Sequence, residues 1–222
     1  MSKATSSEAE ALTWRERSVA RSLEAARQRS LTRSMEYVSV ARSLLEESSG
    51  GSFTVQQVVD RSGTSLRSFY QHFASKDELL LAVFEETIGE AAERWRAEST
   101  QIDDPAEQLH RVIVEICSEP LKSPRRMIAT VLARTHLEMA DRYPAELKRA
   151  LRPLWELLAE IIGRGLRLGR VRVSNPHHSA EIVLHLLVGH IHAKLLDTEE
   201  DGVTAEELWD LCWRGLSSAK SD

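Results

Sequence analysis

The chain has 222 residues, 42% hydrophobic and 28% charged, with a net charge of −5. This is the make-up of an ordinary globular protein, long enough to bury a sound core in one domain or two small ones. Two cysteines, Cys117 and Cys212, exclude a disulfide framework and a cysteine metal cluster. With no apolar signal core and no apolar run near the ~18 residues of a membrane span, a cytoplasmic protein without membrane contact is expected. The acidic total argues at first against a nucleic-acid partner. Its distribution softens that: residues 1–79 carry 11 Lys/Arg against 10 Asp/Glu, and residues 80–222 carry 18 against 24.

Residues 1–12 are rich in Ser, Ala and Glu and read as disordered. From Trp14 the sequence carries Arg15, Arg17, Arg21, Arg27, Arg29 and Arg33 with few breakers. The readings that stand open are a helical extension of the first core helix, an arm along DNA phosphates or in the minor groove, and a solvated tail. Ser34 to Ser48 is expected as the first core helix, with Met35, Val38, Ala41 and Leu45 at helical spacing and Gly50-Gly51 beyond its end.

Phe53 to Leu80 then holds three helix starts in succession. Thr54 and Gln57 form a capping box, with Phe53 and Val58 placed as its hydrophobic staple. Ser62-Gly63-Thr64 is a break whose glycine can take left-handed backbone. Ser65 caps a short helix carrying Phe69 and Phe73 on one face. Ser75 with Glu78 reads as another capping box, opening a helix with Leu79, Leu80, Val83 and Phe84 that runs toward Glu98. Two short helices about a glycine turn make a helix-turn-helix, about residues 54–73, whose second helix can enter the major groove. On a helical wheel Leu66 joins Phe69 and Phe73, while Thr64, Arg67, Ser68 and Gln71 face the other way, with Tyr70 and His72 on the flanks. Arg and Gln can pair with base edges, and Ser, Thr and Tyr can reach phosphates. Lys76 stands at a helix start suited to a phosphate. The same spacing also fits a plain helical hairpin with a solvated polar face.

The run Gly63 to Leu80 resembles the recognition helix and following helix of the TetR family of transcriptional regulators. Tyr70, His72, Phe73, Ser75, Lys76 and Leu79 match that family's pattern of Tyr, then His or Tyr, then Phe, closed by Ser-Lys-x-x-Leu. The resemblance implies phosphate contacts at Thr54, Tyr70 and Lys76. It implies base-edge contacts at or near Arg67, Ser68, Gln71 and His72, and Ser65 is counted with them as the cap of the reading helix. Leu66 departs from the pattern, where a polar or basic residue is usual; it either packs inward or touches a thymine methyl.

Further helices follow. Asp104-Pro105 with Glu107 is a helix start, continued by Leu109, Val112, Ile113 and Ile116, and Pro120 and Pro124 break it. A helix from about Arg125 to Ala140 carries Met127, Val131, Leu132, His136 and Met139. Tyr143-Pro144 opens a long one holding Pro153 and ending near Gly165 or Gly169. Asn175-Pro176 opens the penultimate helix, apolar nearly all round from Ile182 to Leu195. Thr204 with Glu207 caps the last, which carries Leu208, Leu211, Cys212 and Leu216. No stretch alternates as a strand, so the chain is expected to be all-α with about nine helices.

The expected organisation is an N-terminal arm or extension (1–29), a helix-turn-helix domain (30–80) and a helical ligand-binding and dimerisation domain (81–222). By the TetR resemblance the body holds an effector pocket, and its last two helices pair with their twins in a homodimer that reads a palindromic operator on double-stranded DNA. Candidate pocket residues are Trp95, Ile113, Cys117, Met127, Val131, His136, Trp155 and Ile162, large or adaptable side chains suited to an apolar small-molecule effector with one polar end. The same side chains also suit plain core. Candidate dimer residues are Val183, Leu187, His190, Ile191, Leu208 and Leu211. His178, His185 and His192 repeat every seven residues, about 10 Å apart along one helix, too far for one ion; no metal site and no cofactor are expected. The chain has no phosphate-binding glycine loop, no Gly-x-Ser-x-Gly elbow and no His-Glu-x-x-His helix, and no enzyme is expected. The expected function is a ligand-responsive DNA-binding repressor. The alternative is a helical small-molecule- or partner-binding scaffold with a vestigial DNA head.

Overall fold

The first helix is far longer than its core-facing pattern requires. In a computed structural model of the chain, α1 spans Trp14–Glu47. Its start is a capping box in its own right: Thr13 Oγ1 accepts from the Glu16 amide, and the Glu16 carboxylate accepts from the Thr13 amide at 2.7 Å. The Arg-rich segment is therefore a helical continuation of the first core helix, exposed along residues 13–32. The structure describes residues 13–47, 52–118, 125–196 and 202–217, without the side chains of 125–127, 132, 137 and 196. The readings of residues 1–12, Gly50, Gly51, Pro120 and Pro124, and of the Met127 and Leu132 side chains, lie outside the described residues.

The remaining helices are α2 (Val55–Arg61), α3 (Leu66–Tyr70), α4 (Lys76–Ser99), α5 (Pro105–Ser118), α6 (Arg125–Arg142), α7 (Pro144–Arg167), α8 (Pro176–Leu196) and α9 (Ala205–Leu216). Among the described residues there are nine helices and no strand; Val171 and Ser217 form an isolated antiparallel bridge. The all-α expectation holds.

The head is α1, α2, α3 and the start of α4. Thr54 accepts from the Gln57 amide, and Gln57 Oε1 accepts in return from the Thr54 amide at 2.8 Å. Gly63 sits at φ 62°, the left-handed turn between α2 and α3. Ser65 accepts from the Ser68 amide and so starts α3. At the third start Ser75 accepts from the Glu78 amide, but the Glu78 carboxylate reaches the Ala74 amide, one residue earlier than a capping box requires. Tyr37, Phe53, Phe69 and Phe84 fill the head's core, each at 2% exposure or less. Each such side chain contributes about 1.5–3 kcal/mol by leaving water. Met35, expected in that core, is 60% exposed, because the inward stripe of α1 runs through Tyr37, Ala41 and Leu45 at four-residue steps.

In the body α4 packs along α7, and α7 along α8, while α9 packs on α5 and α8. Leu109, Ile113, Leu158, Ile162, Leu187 and Leu208 belong to one continuous cluster there. The turn after α7 is set by two glycines. Gly169 takes φ 70°, and a β-carbon on Gly165 would stand 2.8 Å from Val171 Cγ2. Asn175 Oδ1 accepts from the His177 amide at the start of α8. Thr204 and Glu207 cap α9 reciprocally, as expected. The head's cluster continues from α4 into α6 and α7 through Ile128, Val131, Met139 and Ala150, so α4 serves both cores.

Candidate nucleic-acid interface and effector cavity

Helix α3 has a fixed back and an open front. At the back, the buried Tyr37 phenol lies 3.1 Å from Thr64 Oγ1 and 3.0 Å from Ser68 Oγ. A phenol has one hydrogen, so it donates to one hydroxyl and accepts from the other. Ser62 Oγ extends the chain to Thr64 at 3.0 Å and donates to the Val58 carbonyl. Ser34 Oγ lies 3.0 Å from His72 Nδ1, and the His72 ring meets Tyr37 edge-on. Ser68 and His72, expected among the base-edge readers, are half-buried with these inward partners, so their polar atoms hold α3 in place. Thr64, expected on the outward face, is held in the same way.

The front carries Ser65, Leu66, Arg67, Tyr70 and Gln71, all exposed. Leu66, grouped with the inward phenylalanines on the wheel, is 43% exposed. Helix α3 ends at Tyr70, so Phe73 lies beyond it, and the two-turn wheel does not apply. Tyr70 stands edge-on to Phe69 with 57% exposure. Thr54 is exposed at the start of α2. Lys76 Nζ lies 5.1 Å from the centre of the Phe53 ring and donates to Ser52 Oγ at 3.2 Å, which poises it at the start of α4. One guanidinium, one amide, one phenol and one ammonium thus lie along one surface whose scaffold is buried aromatic packing.

The second feature is a cavity of about 370 Å³ in the body, with α1 reaching it from the head. Its apolar wall includes Phe84, Ile88, Trp95, Ile116, Leu147, Leu151, Val188 and Ile191. One polar end is a pair of histidines, His136 on α6 and His192 on α8, with ring centres 4.9 Å apart. Burial holds both imidazoles below the usual histidine range, and for His136 the neighbouring His192 adds to it. The lining also holds Arg42 and Glu46 from α1 and Glu90 and Arg94 from α4. Arg42 Nη1 donates to both Glu90 carboxylate oxygens, at 3.1 and 2.9 Å. Its Nη2 lies 3.7 Å from the Glu86 carboxylate, and neither Nε nor Nη2, both buried, has a hydrogen-bond partner among the described residues.

The expected pocket residues divide. Trp95 and His136 line the cavity. Ile113, Cys117 and Ile162 are wholly buried core between α5, α7 and α9, and Val131 lines a separate cleft of about 330 Å³ between head and α6. Trp155 is half-buried against the body core and donates from Nε1 to the His177 carbonyl. Arg42 and Glu90 were missed, because a charged pair on two helices far apart in sequence leaves no local signal. The expected dimer residues divide as well. Val183, Leu187 and Leu208 are buried in the chain's own core, Ile191 lines the cavity and His190 is half-buried. Only Leu211 is exposed, at 62%. An apolar helix has two sides that sequence cannot tell apart; the outward one on α8 carries Ile182, His185, Leu186 and Gly189. Of the sevenfold histidines, His178 and His185 are exposed and His192 faces the cavity.

Residues 38–83 match the family model described as bacterial regulatory proteins, tetR family. The match falls on the head. No curated protein matches the chain. Solved structures with the same fold include RolR complexed with resorcinol, at 18% identity, TM-score 0.63, and coverage of 85% of this chain and 89% of that one. A TetR-family transcriptional regulator from Pectobacterium atrosepticum is 19% identical, with TM-score 0.64 over 85% and 92% of the two chains. The transcriptional regulator FadR from Bacillus subtilis, in complex with stearoyl-CoA, is 15% identical, with TM-score 0.57 over 82% and 98%. The likeness extends the tetR-type architecture from the head to the helical body. Among the described residues no helix is long and apolar enough to cross a membrane.

Proposed function

We propose that the protein is a ligand-responsive transcriptional repressor that binds a palindromic operator as a homodimer and is released by a small, largely apolar molecule. The observation that carries this reading is the build of α3: a front of Arg67, Tyr70 and Gln71 backed by the buried Tyr37 hydroxyl network. Arg67 and Gln71 suit guanine and adenine edges, Leu66 a thymine methyl, and Thr54, Ser65, Tyr70 and Lys76 the phosphates on either side. A head with every cap and core ring in place is not what a vestigial one would retain.

The exposure of Ile182 and Leu186 on α8 and of Leu211 on α9 supports pairing of the last two helices with those of a second copy. Two heads would then double the few contacts each makes, which a slightly acidic protein needs. RolR and FadR, which share this fold, form complexes with resorcinol and stearoyl-CoA, and here the cavity of about 370 Å³ falls in the size range of small-molecule sites. An apolar ligand bearing an oxygen acceptor would satisfy Arg42 Nε and Nη2. Because Arg42 belongs to the head's first helix and Glu90 to α4, a ligand there acts on the joint between head and body. It weakens DNA binding insofar as it favours an arrangement with mismatched half-site spacing.

The test is binding of the purified protein to the DNA beside its own gene and to duplexes selected from a random library, with excess nonspecific competitor. A discrete competitor-resistant complex, dissociated by a compound that also raises the melting temperature of the free protein, is expected. A specific complex that no cavity-binding compound weakens would remove the ligand-responsive half of the proposal.

A further inference from the structure

We infer that the N-terminal part of α1, Trp14 to Arg33, is a second DNA-binding element that lies along the duplex beside the half-site read by α3. The inference rests on the regulator reading above and adds a contact surface to it. Three observations carry it. First, residues 13–32 are exposed on every side of α1 among the described residues, yet the helix is opened by its own Thr13–Glu16 cap. Second, it leaves the head beside the reading helix. Ser34 bonds His72 just past the end of α3, and Tyr37 bonds Thr64 and Ser68, so the preceding twenty residues, about 30 Å of helix, start at the margin of the DNA-facing surface.

Third, its charge complements a phosphate backbone. It holds six arginines, Arg15, Arg17, Arg21, Arg27, Arg29 and Arg33, against Glu16 and Glu24, a net of +4 in a protein whose total is −5. Arg33 is paired with Glu36, but Arg21, Arg27 and Arg29 have no carboxylate partner among the described residues. The arginines are spread around the helix, so some face the duplex whichever side meets it. A second copy of the helix is a poorer occupant. Continued at three-four spacing from Val19 and Leu23, an apolar seam meets Ala26, Ser30 and Arg33.

The test compares the full chain with two triple variants, Arg21→Gln/Arg27→Gln/Arg29→Gln and the same positions changed to Lys, on a duplex selected by the full chain and carrying long flanks. Each arginine that neutralises a phosphate contributes about 0.9 to the slope of log affinity against log salt, so with one or two of the three facing the duplex on each of two protomers the Gln variant loses roughly 2 to 4 from that slope. Its affinity at physiological salt should fall at least tenfold, with the preferred sequence unchanged and protection of the flanks lost. The Lys variant should keep most of the affinity. An unchanged slope and footprint in the Gln variant would overturn the inference, as would equal losses in both variants. So would a change in protomer number, which would assign the helix to self-association. A full chain that selects no sequence at all would overturn the regulator reading and this inference with it.

Discussion

The Tyr37 phenol and the Ser68 hydroxyl, 3.0 Å apart, join the first helix of the head to the back of the helix that reads DNA. Tyr37 is wholly buried, so its hydroxyl depends on Ser68 and Thr64 as partners. Tyr37→Phe keeps the ring and leaves two half-buried hydroxyls short of a partner. The expected cost is about 1–3 kcal/mol of unfolding free energy, read from urea denaturation. Operator affinity should fall by more than the unfolded fraction explains, because α3 is held less firmly.

Arg67 is exposed on the front of α3, and nothing in its surroundings needs its charge for folding. Arg67→Ala should leave the melting temperature within a degree or two while costing about 1–3 kcal/mol of operator binding. If the guanidinium reads a base, preference should relax at one base pair in each half-site. Equal weakening on all sequences would make it a phosphate contact.

Burial, with Cys212 nearby, pushes the Cys117 thiol up to about 12. Cys212 is raised as well, by burial. The nucleophile is the thiolate, which Cys117 at pH 8 supplies on the order of once in 10⁴ molecules. Both cysteines should resist a thiol-reactive aromatic disulfide in the native protein and react at once in denaturant. Fast native labelling at Cys117 would contradict the packing of α5 against α9.

His136 and His192 make stability depend on pH in a defined direction. Folded, both are held below the ordinary histidine value of 6.5, so between the folded and unfolded values the unfolded chain binds more protons. Stability therefore rises with pH across that window, and is lost as pH falls from about 6.5. The urea midpoint should be lower at pH 5.5 than at pH 7.5. In His136→Gln the difference should shrink. An unchanged difference in that variant would assign the effect to other groups.

Local signals were legible where short-range chemistry decides the outcome. The Thr54–Gln57 and Thr204–Glu207 boxes, the left-handed Gly63 and the starts at Pro105, Pro144 and Pro176 all stand where the residues placed them. The Thr13–Glu16 box carries the same signature, beside a mass of arginines. What the sequence could not convey is which side of an apolar helix turns inward. Val183 and Leu187 face their own core while Ile182 and Leu186 face out, and the two pairs differ by one residue. Nor could it show that polar residues on α3 bond inward: Ser68 and His72 depend on Tyr37 and Ser34, more than thirty residues away in sequence. Trp95 and His136 line the cavity, and Arg42 and Glu90 meet there only because α1 crosses α4.

The measurement that bears most directly on the account is selection of bound duplexes from a random-sequence library by the purified full chain at physiological salt, in parallel with the Arg67→Ala/Tyr70→Ala variant. The account predicts that the full chain enriches an inverted repeat, bound by two protomers, and that the folded variant enriches nothing. No enriched sequence with the full chain, or the same repeat enriched equally by the variant, would contradict it.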